Sequence, residues 1–184
     1  MKADPDVQRE IKRIVSILLK KYHNRDPFYL ARLLGIKVTF LDFNEDIPAF
    51  SERRSLSDRG NIYINQNFGS YSQKILCAHE LGHLLLHGVC ESTFFDSDIE
   101  PLKEYEANYF TAILLPQIIN KKEVLDYSAE DLNEYITSLV YYATRFARLR
   151  NAKREQEVMR LRIKRLHRKK NFTAYLDNQE KQIQ

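Results

Sequence analysis

His79-Glu80-Leu81-Gly82-His83, continuing as Leu84-Leu85-Leu86-His87, lies in a segment from Tyr71 to His87 whose apolar residues Ile75, Leu76, Leu81, Leu84 and Leu85 recur at helical spacing. On an α-helix, residues four apart share a face, so His79 and His83 can aim their ring nitrogens at one metal ion. Glu80 is rotated about 100° from His79, too far to join as an equal ligand, and is placed instead to take a proton from a water held by the ion. With 5 histidines in 184 residues, such a pattern arises by chance about 0.01 times, so it is no compositional accident. It points to hydrolysis at zinc.

A catalytic zinc takes three protein ligands and leaves one position open. Downstream carboxylates are Glu91, Asp96, Asp98 and Glu100, in a polar stretch read as a loop from Gly88 to Pro101, and Glu104 and Glu106, which open a helical segment ending at Pro116. Glu104, Ala107, Asn108 and Thr111 share one face of that helix, and its small residues allow close approach to another helix. Glu104 is therefore the expected third ligand. Glu106 points to solvent in this register, and a shift of one residue would exchange the two. Asn108, one turn beyond Glu104, can hold a ligand in place from behind, and Tyr109 or His87 can supply a second donor to an oxyanion. His87 continues the four-residue spacing but has drifted about 80° from His79, which puts it behind the ligands or at the surface.

The strand-like Gly60-Asn61-Ile62-Tyr63-Ile64-Asn65, the histidine segment, and Glu104 to Pro116 in the form E-x-E-A-N-x-F-x-A-x-L-L-P together resemble the ImmA/IrrE family of metallo-endopeptidases over about residues 26–150. Asp26-Pro27-Phe28 through Val38 is similar to the helix and strand that open that family's domain. The resemblance implies a zincin-like fold, zinc as cofactor, and cleavage of a helix-turn-helix repressor in the cytoplasm, often one encoded alongside on a phage or mobile element.

The remaining sequence reads as α+β. Asp4 and Pro5 begin a helix with apolar positions Val7, Ile11, Ile14, Val15, Leu18 and Leu19. Asp26 and Pro27 begin a second, ended by Gly35, and strands follow at Ile36–Phe40, Pro48–Arg53 and Asn61–Asn65, with a turn at Ser57–Gly60. The expectation is a small, mostly antiparallel sheet beside the HExxH helix, with a helical C-terminal half. Its outermost strand, taken as Asn61–Asn65, would bind extended peptide through Asn61, Tyr63 and Asn65. A helix through Val124 and another capped by Ser128 and Asp131 complete this domain, residues 1–144.

Residues 1–144 carry 16 Lys and Arg against 21 Asp and Glu, whereas 145–170 carry 12 against 2. The extension 145–184 is thus a basic, helical arm with a thin apolar edge of Val158, Leu161, Ile163 and Leu166. It can be a solvated helix, a DNA- or repressor-docking arm, or a self-association surface. A rival to the peptidase is a non-catalytic zinc-containing regulator acting through this arm, although a purely structural site has no use for Glu80. No signal peptide or membrane span is evident, and Cys77 and Cys90 are too few for a disulfide framework. Reduced thiols in the cytoplasm are expected. Cys90 is near enough to compete as a soft ligand, though a bland buried or loop thiol is the plainer reading.

Overall fold

The computed structural model describes residues 4–44, 46–55, 57–87, 101–119 and 127–167. Helix α1 spans Pro5–Tyr22, α2 Pro27–Leu33, β1 Lys37–Leu41, β2 Ala49–Glu52, β3 Asn61–Asn65, α3 Ser70–Leu86, α4 Pro101–Leu114 and α5 Ala129–His167. The chain divides into two compact units, Met1–Thr144 and Arg145–Gln184. Among the described residues no helix is long and apolar enough to cross a membrane.

The helix starts follow local chemistry. The Asp4 carboxylate accepts from the Asp6 amide and Asp26 from the amides of Phe28 and Tyr29, each followed by a proline whose missing N–H costs nothing at that position. Asp26 also pairs with Lys74 at 2.7 Å, joining α2 to α3. Ser128 and Asp131 form the expected capping box: the Asp131 amide donates to Ser128 Oγ, and the Ser128 amide to Asp131 Oδ2. The helix expected through Val124 shows turns at residues 116–118, and its part from 120 to 126 lies outside the described residues.

The fold is α+β, as expected, with a mixed sheet of order β1-β3-β2. The β2–β3 connection is short and gives antiparallel pairing, while β1 and β3 run parallel because the excursion through β2 carries the chain back to its starting end. One pairing of each kind replaces the mostly antiparallel sheet expected. It also corrects the choice of Asn61–Asn65 as outermost strand: β3 is central, with both edges already paired. Its side chains are engaged too. Asn65 is fully buried and donates to the carbonyls of Phe43, Asn44 and Ile47 at 3.0–3.1 Å, fastening the β1–β2 connection. Tyr63 donates to Glu52 Oε1 at 2.9 Å and Asn61 approaches the same oxygen.

Helix α3 is covered by neighbours on several sides, as a helix apolar around most of its circumference must be. It packs against α2, β2, β3 and α4, and α4 in turn packs against α1. Ile75, Leu81 and Leu84 join Ile62 and Ile64 of β3, Leu30 of α2, and Phe110 and Leu114 of α4 in one core. Burying each such side chain contributes roughly 1.5–3 kcal/mol. Gly60, at φ +90°, brings the start of β3 against Leu84, where a Cβ would come within 2.9 Å of its Cδ2. Arg25 donates to the last carbonyls of α4, Ile113 and Leu114.

Leu132, Ile136 and Val140 bury one stripe of the first half of α5. Ser72 donates to the Val140 carbonyl at 2.6 Å, Thr144 donates to Ser72, and the Gly69 amide donates to Thr144, which tethers the start of α3. From residue 145 onward α5 exposes Arg145, Arg148, Leu149, Arg150, Lys153 and Arg154. The apolar edge at Val158, Leu161, Ile163 and Leu166 lies outside the described side chains, as Cys90 and the acidic residues of 88–100 lie outside the described residues.

Candidate metal centre

The helical frame presents His79 and His83 on one face of α3, their Nε2 atoms 3.0 Å apart. Glu104, in the first turn of α4, reaches both: Oε2 lies 3.3 Å from His79 Nε2 and Oε1 3.1 Å from His83 Nε2. Two features allow this approach. Gly82 has no side chain where α4 crosses, since a Cβ there would meet Ala107 Cα at 3.1 Å. Ala107, Asn108 and Thr111 supply the small opposing surface expected of that helix face.

Tautomers follow from the partners. Asn108 Oδ1 lies 2.9 Å from His79 Nδ1, and an amide oxygen can only accept, so Nδ1 carries the proton and Nε2 of the neutral ring is left bare. Asn108 in turn donates to Asn133 at 3.3 Å. His83 Nδ1 faces His87 Nδ1 at 3.1 Å, and His87 Nε2 lies 2.9 Å from Glu106 Oε2. Asn108 and His87 thus stand behind the two histidines. Glu106 does not face solvent: its side chain is 18% exposed and its partner His87 only 6%.

The donor set suits zinc. Two imidazole nitrogens and a carboxylate oxygen, all within 4.8 Å of one another, can hold one ion, and their spacing is close to the roughly 3.3 Å between ligands 2.0–2.1 Å from a tetrahedral centre. Without an ion, burial opposes a charged His79, but hydrogen bonding and proximity to Glu104 outweigh it and raise its pKa to about 9. Glu104 is likewise disfavoured as an anion by burial, yet its two histidine partners hold it well below the usual carboxylate range. A proton then stands where a cation is wanted. For His87, burial outweighs the opposing pull of Glu106 and holds the ring pKa below its ordinary value.

Glu80 is 7% exposed and accepts no hydrogen bond from any described residue. Among the described residues this leaves a nearly buried carboxylate beside the histidine pair with no donor of its own, an arrangement that can accept a proton from a water or substrate. Tyr109 corrects another expectation. It is fully buried against α1, stacked on Tyr105, with its hydroxyl toward Gln8 at 3.4 Å, and so offers nothing to an oxyanion at this centre. His87 has both nitrogens engaged and is excluded from that role for the same reason. Cys77 is buried and its thiol pKa is pushed up by burial, which leaves it inert.

A family model for the IrrE N-terminal-like domain, Peptidase_M78, matches residues 31–162. The Uncharacterized immunity region protein 2 of Bacillus phage phi105 is 31% identical over 132 residues, which cover 66% of this chain and 79% of that protein. No solved structure matches the chain.

Proposed function

Because the chain belongs to the M78 peptidase family through its IrrE N-terminal-like domain, we propose that it is a zinc-dependent endopeptidase that cuts a helix-turn-helix repressor and so relieves repression. The observation that carries this reading is the convergence of His79, His83 and Glu104 beside Glu80, which is 7% exposed and accepts no hydrogen bond from any described residue. The likeness to an immunity-region protein supports a repressor as substrate, since immunity depends on repression.

His79, His83 and Glu104 would hold a zinc ion, which when bound would supply Lewis-acid polarisation of the scissile carbonyl and lower the pKa of the attacking water. Glu80 takes one proton from that water as its oxygen bonds to the carbonyl carbon. The same carboxyl group returns the proton to the peptide nitrogen as the C–N bond breaks, and the second proton of the water passes from the new carboxylic acid to the released amine, leaving a carboxylate and an ammonium group. Asn108 keeps the His79 ring in register throughout. Pairing with an extended substrate falls to β2, the edge strand that packs against α3, in place of β3.

The test is incubation of the zinc-loaded protein with the repressor encoded nearest its gene, followed by intact mass. Two fragments summing to the repressor plus one water are expected, lost on chelation and restored by zinc. An intact repressor under conditions where the protein still relieves repression would overturn the proteolytic reading.

A further inference from the structure

Glu106, Tyr105 and Glu104 are consecutive, yet the two carboxylates engage different histidines of α3: Glu104 faces the candidate ion position, and Glu106 reaches His87 on its far side. We infer that Glu106 and His87 form a positioning relay that fixes the tautomer and ring angle of His83, so that its Nε2 is presented to the metal. The inference rests on the reading that His79, His83 and Glu104 hold a metal ion.

Each link of the relay constrains the next. A carboxylate can only accept, so the proton of neutral His87 lies on Nε2, pointing at Glu106. The bare Nδ1 of His87 can then only accept, and His83 Nδ1, 3.1 Å away, must donate to it. That puts the single proton of neutral His83 on Nδ1 and leaves its Nε2 lone pair directed at the point shared with His79 Nε2 and Glu104 Oε1. Without Glu106 no other described residue selects between the two tautomers of His87. One of them sets N–H against N–H at the His83 contact and drives the His83 proton onto the ligating nitrogen.

The two ligand histidines are therefore held in different ways. His79 is oriented by the neutral amide of Asn108, itself tied to Asn133. His83 is oriented by a buried chain ending in a charge, and hydrogen bonds to ionised groups are roughly twice as strong as neutral ones. A contact that merely braced α3 against α4 would need no such order of donors and acceptors.

The test uses full-length protein and variants Glu106→Gln, His87→Ala, His87→Asn and the double variant His87→Ala/Glu106→Gln. Zinc affinity is measured by competition with a chromophoric chelator, the visible spectrum is recorded with cobalt(II) as probe, and melting is followed on metal-free protein. Glu106→Gln and His87→Ala are expected to weaken zinc binding about 10–100-fold and to shift the cobalt bands. The double variant should bind no more weakly than His87→Ala alone. His87→Asn, whose Oδ1 can still accept from His83 Nδ1, should recover much of the loss. Unchanged affinity and spectrum, with only a lowered melting temperature in the metal-free state, would reduce the contact to a brace and overturn the inference. Failure of the wild type itself to bind zinc or cobalt would overturn the metal reading, and the relay with it.

Discussion

Gly82 of α3 lies against Ala107 of α4 so closely that a Cβ on Gly82 would stand 3.1 Å from Ala107 Cα and 3.2 Å from Phe110 Cδ1. This contact sets the distance at which Glu104 meets the histidines. Gly82→Ala gains about 1 kcal/mol of helix propensity but overpacks two helix surfaces at about 1–3 kcal/mol. A net loss near 1 kcal/mol is expected, lowering the melting temperature by about 2–4 °C. Zinc affinity should fall with it, because α4 must retreat. Calorimetry of the metal-free protein and a zinc titration check both; a more stable variant with unchanged affinity would contradict the account.

Zinc uptake should release a proton. In the metal-free protein His79 has its pKa raised to about 9 and so carries an extra proton at pH 7, which ligation must displace. Apparent affinity should therefore climb with pH, by up to about tenfold per unit, and level off near 9. Titration calorimetry in buffers of different ionisation enthalpy will show the proton as a buffer-dependent heat; a heat independent of buffer rules it out. The sign for stability is opposite. A raised folded pKa stabilises the metal-free protein below the ordinary value of 6.5, and that contribution is lost as pH rises through about 9.

Asp26 gives a second pH dependence. Burial works against its charge, but Lys74 and the amides of Tyr29 and Phe28 hold its pKa below the ordinary carboxylate value. Its contribution is therefore present above the unfolded pKa and lost as pH falls through the folded one. Asn at this position still caps α2 but cannot pair with Lys74. Since both partners are about one-third exposed, Asp26→Asn should cost less than about 1 kcal/mol at pH 7. Urea melts of the two proteins should converge in acid; a constant gap would place the effect elsewhere.

Residues 145–170, with 12 basic against 2 acidic side chains, should bind duplex DNA through phosphates without sequence preference. The logarithm of the binding constant should fall linearly with that of the salt concentration, at about −0.9 per phosphate contacted. A gel-shift titration checks this, and truncation after Thr144 should abolish the binding. No binding at low salt would leave the arm a solvated helix.

The pairing of His79 with His83 and that of Glu104 with Asn108 were legible because each depends on spacing within a single helix, α3 for the first and α4 for the second. Glu106 was misread for a nonlocal reason: its partner His87 belongs to another helix, and their meeting depends on how α4 crosses α3. The place of β3 was hidden similarly, since Asn61–Asn65 has the same local pattern whether one neighbour or two pair with it. Tyr109 was legible and overlooked. Five residues beyond Glu104, it is turned about 140° round the helix, away from the metal face.

If Glu80 is the proton carrier of a metal-dependent peptidase, the isosteric Glu80→Gln removes that role and leaves the metal ligands in place. Zinc content of the wild type and variant is measured alongside cleavage of the neighbouring repressor. Equal zinc in both, with cleavage by the variant slowed about 10²–10⁴-fold, is expected. Equal zinc with equal cleavage, or equal relief of repression by both proteins with the repressor left whole, would contradict it.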